Sequence, residues 1–332
     1  MKRKIKSIKP NIFLALLSII FSLCTSGCSY DYKAQNDAFS IVTVNYVQYD
    51  FARAVCGNDE NITMIMKPGA EIHGFEPSLA DIEAISNADV FIYNGGESDT
   101  WVENILDSIE AKNLKTVVMM NHAILLEEEH NDHSHAHSHN HEEHNHENEN
   151  GVCPTKLGYD EHIWTSPKNA KCMINAICDA LCKANPQNAD LYKKNSAEYI
   201  SKIDEIHHEL KAVRSSSKTN FIAVGDKFPF LYLANEYDLD YMAAFPGCSH
   251  ENDASPSVIM DIIKTVKSKN IKYVFYTESS DGKMADTICE ETGAKKLLLH
   301  SVQTISPEDF KAGKTYAELM EQNTRNLKEA LS

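Results

Sequence analysis

Eight of the fifteen histidines in this chain crowd into one stretch: His130, His133, His135, His137, His139, His141, His144 and His146. Neutral imidazole is the commonest side-chain ligand for borderline transition metals such as zinc, so metal binding is the first chemistry to consider. The same stretch, 127–150, holds eight acidic residues, no Lys or Arg, and a single apolar residue, Ala136. It can bury nothing and reads as a solvated loop. Imidazoles with no packed partner to fix their tautomer bind metal weakly and several at a time. The tract is therefore expected to be an accessory collector of metal, and the ordered site is to be sought elsewhere.

Seven histidines remain: His73, His122, His162, His207, His208, His250 and His300. Ligands of open α/β sheets bind beyond the carboxyl ends of the strands, and three of the seven sit at such places. His73 lies in the loop after a strand over 62–66. His300 directly follows a strand ending at Leu299, and His162 stands between Asp160 and a helix start at Ser166-Pro167. Glu278, just past a strand over 273–276, is placed to accept a hydrogen bond from a ligand imidazole. His207 and His208 fall on the polar side of a long helix and are expected to face solvent. His122 and His250 are loop residues with no further mark.

The elements that must position these groups alternate along the chain. β-Branched or aromatic runs at 41–44, 62–66, 90–93 and 116–119 are separated by helical patterns at 49–55, 78–87 and 99–111. Such alternation means a parallel sheet with crossover helices. Ser78 followed by Asp81 is a capping box. After the tract come a helix from Ser166-Pro167 to about 183 and a second, nearly thirty residues long, over 186–214. The apolar positions of the second, Tyr192, Tyr199, Ile203, Ile206, Leu210 and Val213, recur at helical spacing. The alternation then resumes with strands at 221–224, 241–245, 273–276 and 296–299, and helices at 228–237, 255–267, 283–292 and 316–331. Two Rossmann-like α/β lobes, 39–165 and 218–332, are thus expected on either side of a helical segment at 166–217. The long helix reads as a rigid strut between them.

Bulk properties narrow the function. The net charge of −16 disfavours nucleic acid and anionic membrane surfaces. No Gly-rich phosphate loop follows a strand, and no HExxH helix, nucleophile elbow or paired general base occurs, so binding rather than catalysis is expected. Lys2, Arg3, Lys4, Lys6 and Lys9 precede the apolar run IFLALLSIIFSLC, a secretory leader over 1–27. Thr25-Ser26-Gly27-Cys28 resembles a bacterial lipobox, with Cys28 as the lipidated mature N-terminus and 28–38 as a tether. Cys172, Cys178 and Cys182 lie in a helical pattern as small buried hydrophobes.

Two motifs carry a family resemblance. Pro68-Gly69-Ala70-Glu71-Ile72-His73-Gly74-Phe75-Glu76-Pro77-Ser78 and Asp160-Glu161-His162-Ile163-Trp164-Thr165-Ser166-Pro167 resemble the two signatures of the zinc and manganese solute-binding lipoproteins of ABC importers. A histidine-rich loop at this location resembles the zinc-handling branch. The resemblance implies one metal between the lobes, with His73 and His162 as the N-lobe ligands and His300 as one of two C-lobe ligands. The other C-lobe ligand, His or Glu in the family, falls on Gly225. The adjacent Asp226, or a water, is then the candidate fourth donor. Three imidazoles and one oxygen suit tetrahedral Zn(II), whereas manganese would want more carboxylate oxygen. The implied protein is a monomeric extracytoplasmic zinc receptor, lipid-anchored to a bacterial membrane and feeding a permease. A manganese receptor, a surface zinc buffer or adhesin, and a secreted zinc hydrolase are the rival readings.

Overall fold

The computed structural model describes residues 39–70, 74–109, 113–128, 158–246 and 255–332. The expected leader, lipidation site and tether, and all eight histidines of the tract, lie outside the described residues. So do His73 and His250.

The N-terminal lobe is built from β1 (Ile41–Thr43), α1 (Tyr46–Cys56), β2 (Ile62–Met64), α2 (Leu79–Ser86), β3 (Val90–Tyr93), α3 (Thr100–Ser108) and β4 (Lys115–Val118). Its strands pair in parallel in the order β2-β1-β3-β4. Helix α1 begins three residues before the expected start, because Asn45 and Gln48 form a reciprocal capping box there. The Ser78–Asp81 box expected for α2 is present.

Two helices follow, α4 (Pro167–Ala184) and α5 (Ala189–Ser216). The C-terminal lobe comprises β5 (Phe221–Phe228), α6 (Leu231–Tyr237), β6 (Asp240–Pro246), α7 (Pro256–Ser268), β7 (Tyr273–Tyr276), α8 (Lys283–Thr292), β8 (Lys295–Leu298), α9 (Pro307–Lys311) and α10 (Tyr316–Leu331). Its sheet is also parallel, in the order β6-β5-β7-β8. The two-lobed α/β architecture is as the sequence pattern predicts.

Side chains alternate across each strand, so both sheets bury both faces. Val42, Phe91 and Tyr93 join an outer cluster of the first lobe, and Ala223 and Val274 an outer cluster of the second. The opposite faces share one core: Ile41, Val90 and Ile92 belong to the same cluster as Ile222, Val224 and Phe275. Helices α4 and α5 fill that shared core with Ile174, Ile177, Ile203 and Leu210. Far from being a bare strut, α5 packs against α1, α4 and α10.

This environment corrects the reading of His207. It is buried, not solvent-facing, whereas His208 is exposed. A helix wedged between neighbours buries a broad stripe, and His207 lies one turn from Ile203 on that stripe. Among the three helical cysteines Cys178 is buried, Cys182 is half-buried and Cys172 is exposed. Cys172 thus departs from expectation, being on the solvent side of α4.

Candidate metal site at the lobe junction

His162 is held by its own short segment. The Asp160 carboxylate accepts the His162 backbone N–H at 2.8 Å and lies 3.1 Å from the ring Nδ1. Nδ1–H donating to Asp160 places the ring's acceptor lone pair on Nε2, the tautomer a metal needs. A 3₁₀ turn, Ile163–Thr165, follows, and Ser166 caps α4. His162 is 1% exposed, with its ring edge-on to Trp164 at 5.6 Å between centroids.

Behind this segment lies a buried acidic pair. Glu161 accepts the Ser98 N–H and hydroxyl, both at 2.6 Å, and its carboxylate fills the space where a Cβ on Gly96 would sit. Any side chain there would have to displace the Glu161 carboxylate. Asp99 accepts the Asn94 and Gly95 N–H groups at 2.6 and 3.0 Å. Burial pushes the Asp99 carboxyl up to about 7, with the Glu161 charge adding to the effect and the two backbone bonds opposing it. An unfolded Asp titrates near ~3.9, so between these values the fold keeps a proton that the unfolded chain has lost. The stability this contributes is complete below ~3.9 and lost as pH rises through about 7. Asp99→Asn should therefore flatten the fall in urea midpoint between pH 5 and pH 8. Parallel pH curves for the two proteins would refute the assignment.

His300 follows the last strand of the second lobe, as expected, and is 4% exposed. Asn323 of α10 grips its backbone from both sides, accepting its N–H and donating to its carbonyl, each at 2.7 Å. Glu278 lies where sequence places it. It accepts the Ser301 N–H at 2.7 Å and the Ser301 hydroxyl at 2.5 Å, and its Oε2 is 3.5 Å from His300 Nδ1. The Val302 N–H donates to the same Nδ1 at 3.0 Å, which leaves the ring proton on Nε2. Ligation through Nε2 requires Nδ1 to carry the proton and face Glu278 instead. Val302 makes its contact from φ 63°, a conformation that costs a β-branched residue roughly 1–2 kcal/mol.

The two histidine segments meet across the lobes. Trp164 Nε1–H donates to the Ser301 carbonyl at 2.8 Å, and the Tyr316 hydroxyl donates to the Trp164 carbonyl at 2.7 Å. The loop leading toward His73 reaches the same junction, where the Gly69 N–H donates to Thr304 Oγ1 at 3.0 Å. On the far side of that loop, Phe75 packs edge-on against Trp101. Among the described residues no three His, Cys, Asp or Glu side chains gather closely enough to hold a metal.

Asp226 lies within β5, which runs four residues beyond its expected end through an irregularity between Val224 and Lys227. Its carboxylate accepts the Thr277 N–H and hydroxyl at 3.1 and 2.9 Å, and the Lys227 N–H at 2.8 Å. A side chain at Gly225 is sterically barred: a Cβ there would stand 2.6 Å from Ala285 Cα in α8. The stem of the histidine tract is formed, with Glu127 bridging Tyr159 and Glu128 N–H donating to Gly158 O at 3.0 Å. Sequence reasoning missed Asn323, Tyr316 and the inter-lobe use of Trp164. The aromatic–histidine spacing at 162–164 was the one available signal.

Residues 41–330 match the family described as the zinc-uptake complex component A, periplasmic. The chain belongs to that family. It is 32% identical over 288 residues to the zinc-binding protein AdcA of Streptococcus pyogenes serotype M3, covering 87% of this chain and 55% of that protein. The chain thus spans little more than half the length of that relative. It is 28% identical over 321 residues to the high-affinity zinc uptake system protein ZnuA of Bacillus subtilis, 96% of each chain. The crystal structure of the Zn(II)-bound ZnuA-like domain of Streptococcus pneumoniae AdcA superposes with a TM-score of 0.70 at 28% identity, over 88% of this chain and 98% of that one.

Proposed function

We propose that this protein is an extracytoplasmic zinc receptor that captures Zn(II) between its lobes and passes it to the permease of an ABC importer. His73, His162 and His300 are the metal ligands. The fourth donor is an oxygen. Because the Asp226 carboxylate already serves Thr277 and Lys227, a water fits that position better. Glu278 supports His300, the tract at 127–150 gathers zinc near the site, and Cys28 carries the lipid anchor. The observation that carries the reading is the Trp164–Ser301 hydrogen bond, which joins the segments of His162 and His300 across the lobes. Family membership and the zinc-binding names of the relatives support the choice of metal, as does a donor set rich in imidazole.

Deletion of residues 127–150 is the direct test. The deleted protein should still hold one tightly bound zinc per chain, measured by competition with a chromophoric chelator. The weaker additional equivalents should disappear. Loss of the tight site on deletion would instead make the tract the functional part, as in a surface zinc buffer.

A further inference from the structure

Helix α6 of the C-terminal lobe reaches the segment that carries His162 at two points. Tyr232 and Glu236 are four residues apart and so project from one face of that helix. The Tyr232 hydroxyl donates to the Asp160 carbonyl at 2.7 Å and accepts the Leu126 N–H at 3.1 Å. Glu236 accepts the Ser166 hydroxyl and, at 3.4 Å, the Lys168 N–H. One contact thus lies just before His162 and the other just after its 3₁₀ turn, at the cap of α4. Tyr232 holds the residue whose carboxylate orients the imidazole, and Glu236 holds the far end of the same segment.

Both side chains are buried. Tyr232 is 3% exposed and the Glu236 side chain 4%. Glu236 is steadied in turn by α5, where His207 Nδ1 lies 2.9 Å from its Oε1 and 2.7 Å from the Tyr237 hydroxyl. The contacts on the His162 side fall on backbone and cap atoms, so they restrain the origin of the side chain. Partners of this indirect kind commonly change metal affinity 10–100-fold when removed.

From this geometry we infer that Tyr232 and Glu236 form a two-point clamp, set on the opposite lobe, that positions His162 for the metal. The inference rests on the reading of the lobe junction as the zinc site. Zinc affinity and release are then governed by two residues that never touch the ion.

The test is a double-mutant cycle in the full chain. Tyr232→Phe and Glu236→Gln are each made with His162 intact and with His162→Ala. The affinity of the tightest zinc equivalent is read by chelator competition and its release rate by mixing with excess EDTA, with the apo melting temperature as a control for folding. With His162 present, Tyr232→Phe should weaken binding roughly 10-fold, mainly through faster release. Glu236→Gln, which keeps the shape and loses the charge, should act in the same direction. In the His162→Ala background neither should cause further loss. A general structural role would lower melting temperature and weaken binding equally in both backgrounds, which overturns the clamp. So does unchanged binding in both variants with His162 present. If His162→Ala alone leaves zinc binding intact, the site reading fails first and the clamp falls with it.

Discussion

His162→Ala should weaken the tightest zinc equivalent by roughly a thousand-fold, a loss of about 4 kcal/mol. The ring is buried, oriented by Asp160 and fixed in place by Trp164, so no other group can move into its position without rearranging the lobe junction. Asp160→Asn is the graded companion. The amide oxygen can still accept the Nδ1–H bond, but the charge that raises ligand basicity is gone. A loss of about 10-fold, at the low end of the range for such partners, is expected. Calorimetric or chelator-competition titration of both variants measures the effect. Wild-type affinity in His162→Ala would remove His162 from the site.

The second large effect concerns stability. Asp50 of α1 is completely buried and gathers three elements. Its carboxylate binds the Arg53 guanidinium at 2.7 Å, accepts the Tyr199 hydroxyl of α5 at 2.5 Å, and accepts the Tyr316 N–H of α10 at 2.9 Å. Arg53 extends the network to the Gly313 and Lys314 carbonyls. Removing one partner of such a pair strands the other charge and leaves buried donors unpaired, at a cost of about 3–5 kcal/mol. Asp50→Ala should lower the apo melting temperature by on the order of 10 °C, since each kcal/mol moves a domain of this size by roughly 2–4 °C. Burial pushes the Asp50 carboxyl upward against its partners, so the network as a whole gains little over apolar packing. It is one-sided removal that is expensive. An Asp50→Ala protein that unfolds within about 1 kcal/mol of wild type would show that the network contributes nothing.

The sequence disclosed most of the architecture because its signals are local. Alternating strands and helices, the Ser78–Asp81 box and the Ser166-Pro167 start all work within a few residues, and each appears in the structure. His162 and His300 stand where local signals place them, before a helix cap and just after the last strand. What failed depended on distant neighbours. Residues 225–227 fall between the expected strand and the expected helix at 228–237, yet β5 continues through Phe228, pairing with β6 along its edge, and the helix starts only at Leu231. His207 reads as a surface residue until α5 is seen packed among other helices and facing Glu236. Gly225 reads as a missing ligand, while the structure gives it a steric reason: α8 passes too close for any side chain. Asn323, twenty-three residues beyond His300 on a helix of ordinary amphipathic pattern, carried no mark of its grip on that histidine.

The position of α10 has a consequence for the order in which this molecule can assemble. The helix ends the described fold, yet Asn323 fixes His300, Tyr316 secures the turn beside His162, and the Tyr316 N–H completes the shell of Asp50. The bonds from Tyr316 span separations of 152 and 266 residues, so they close long loops whose entropy must be offset before they can hold. A chain still emerging, or clipped before residue 316, has its histidines but not the frame that aligns them. On the proposed site, tight metal binding therefore depends on residues 316–323, near the C-terminal end of the described fold.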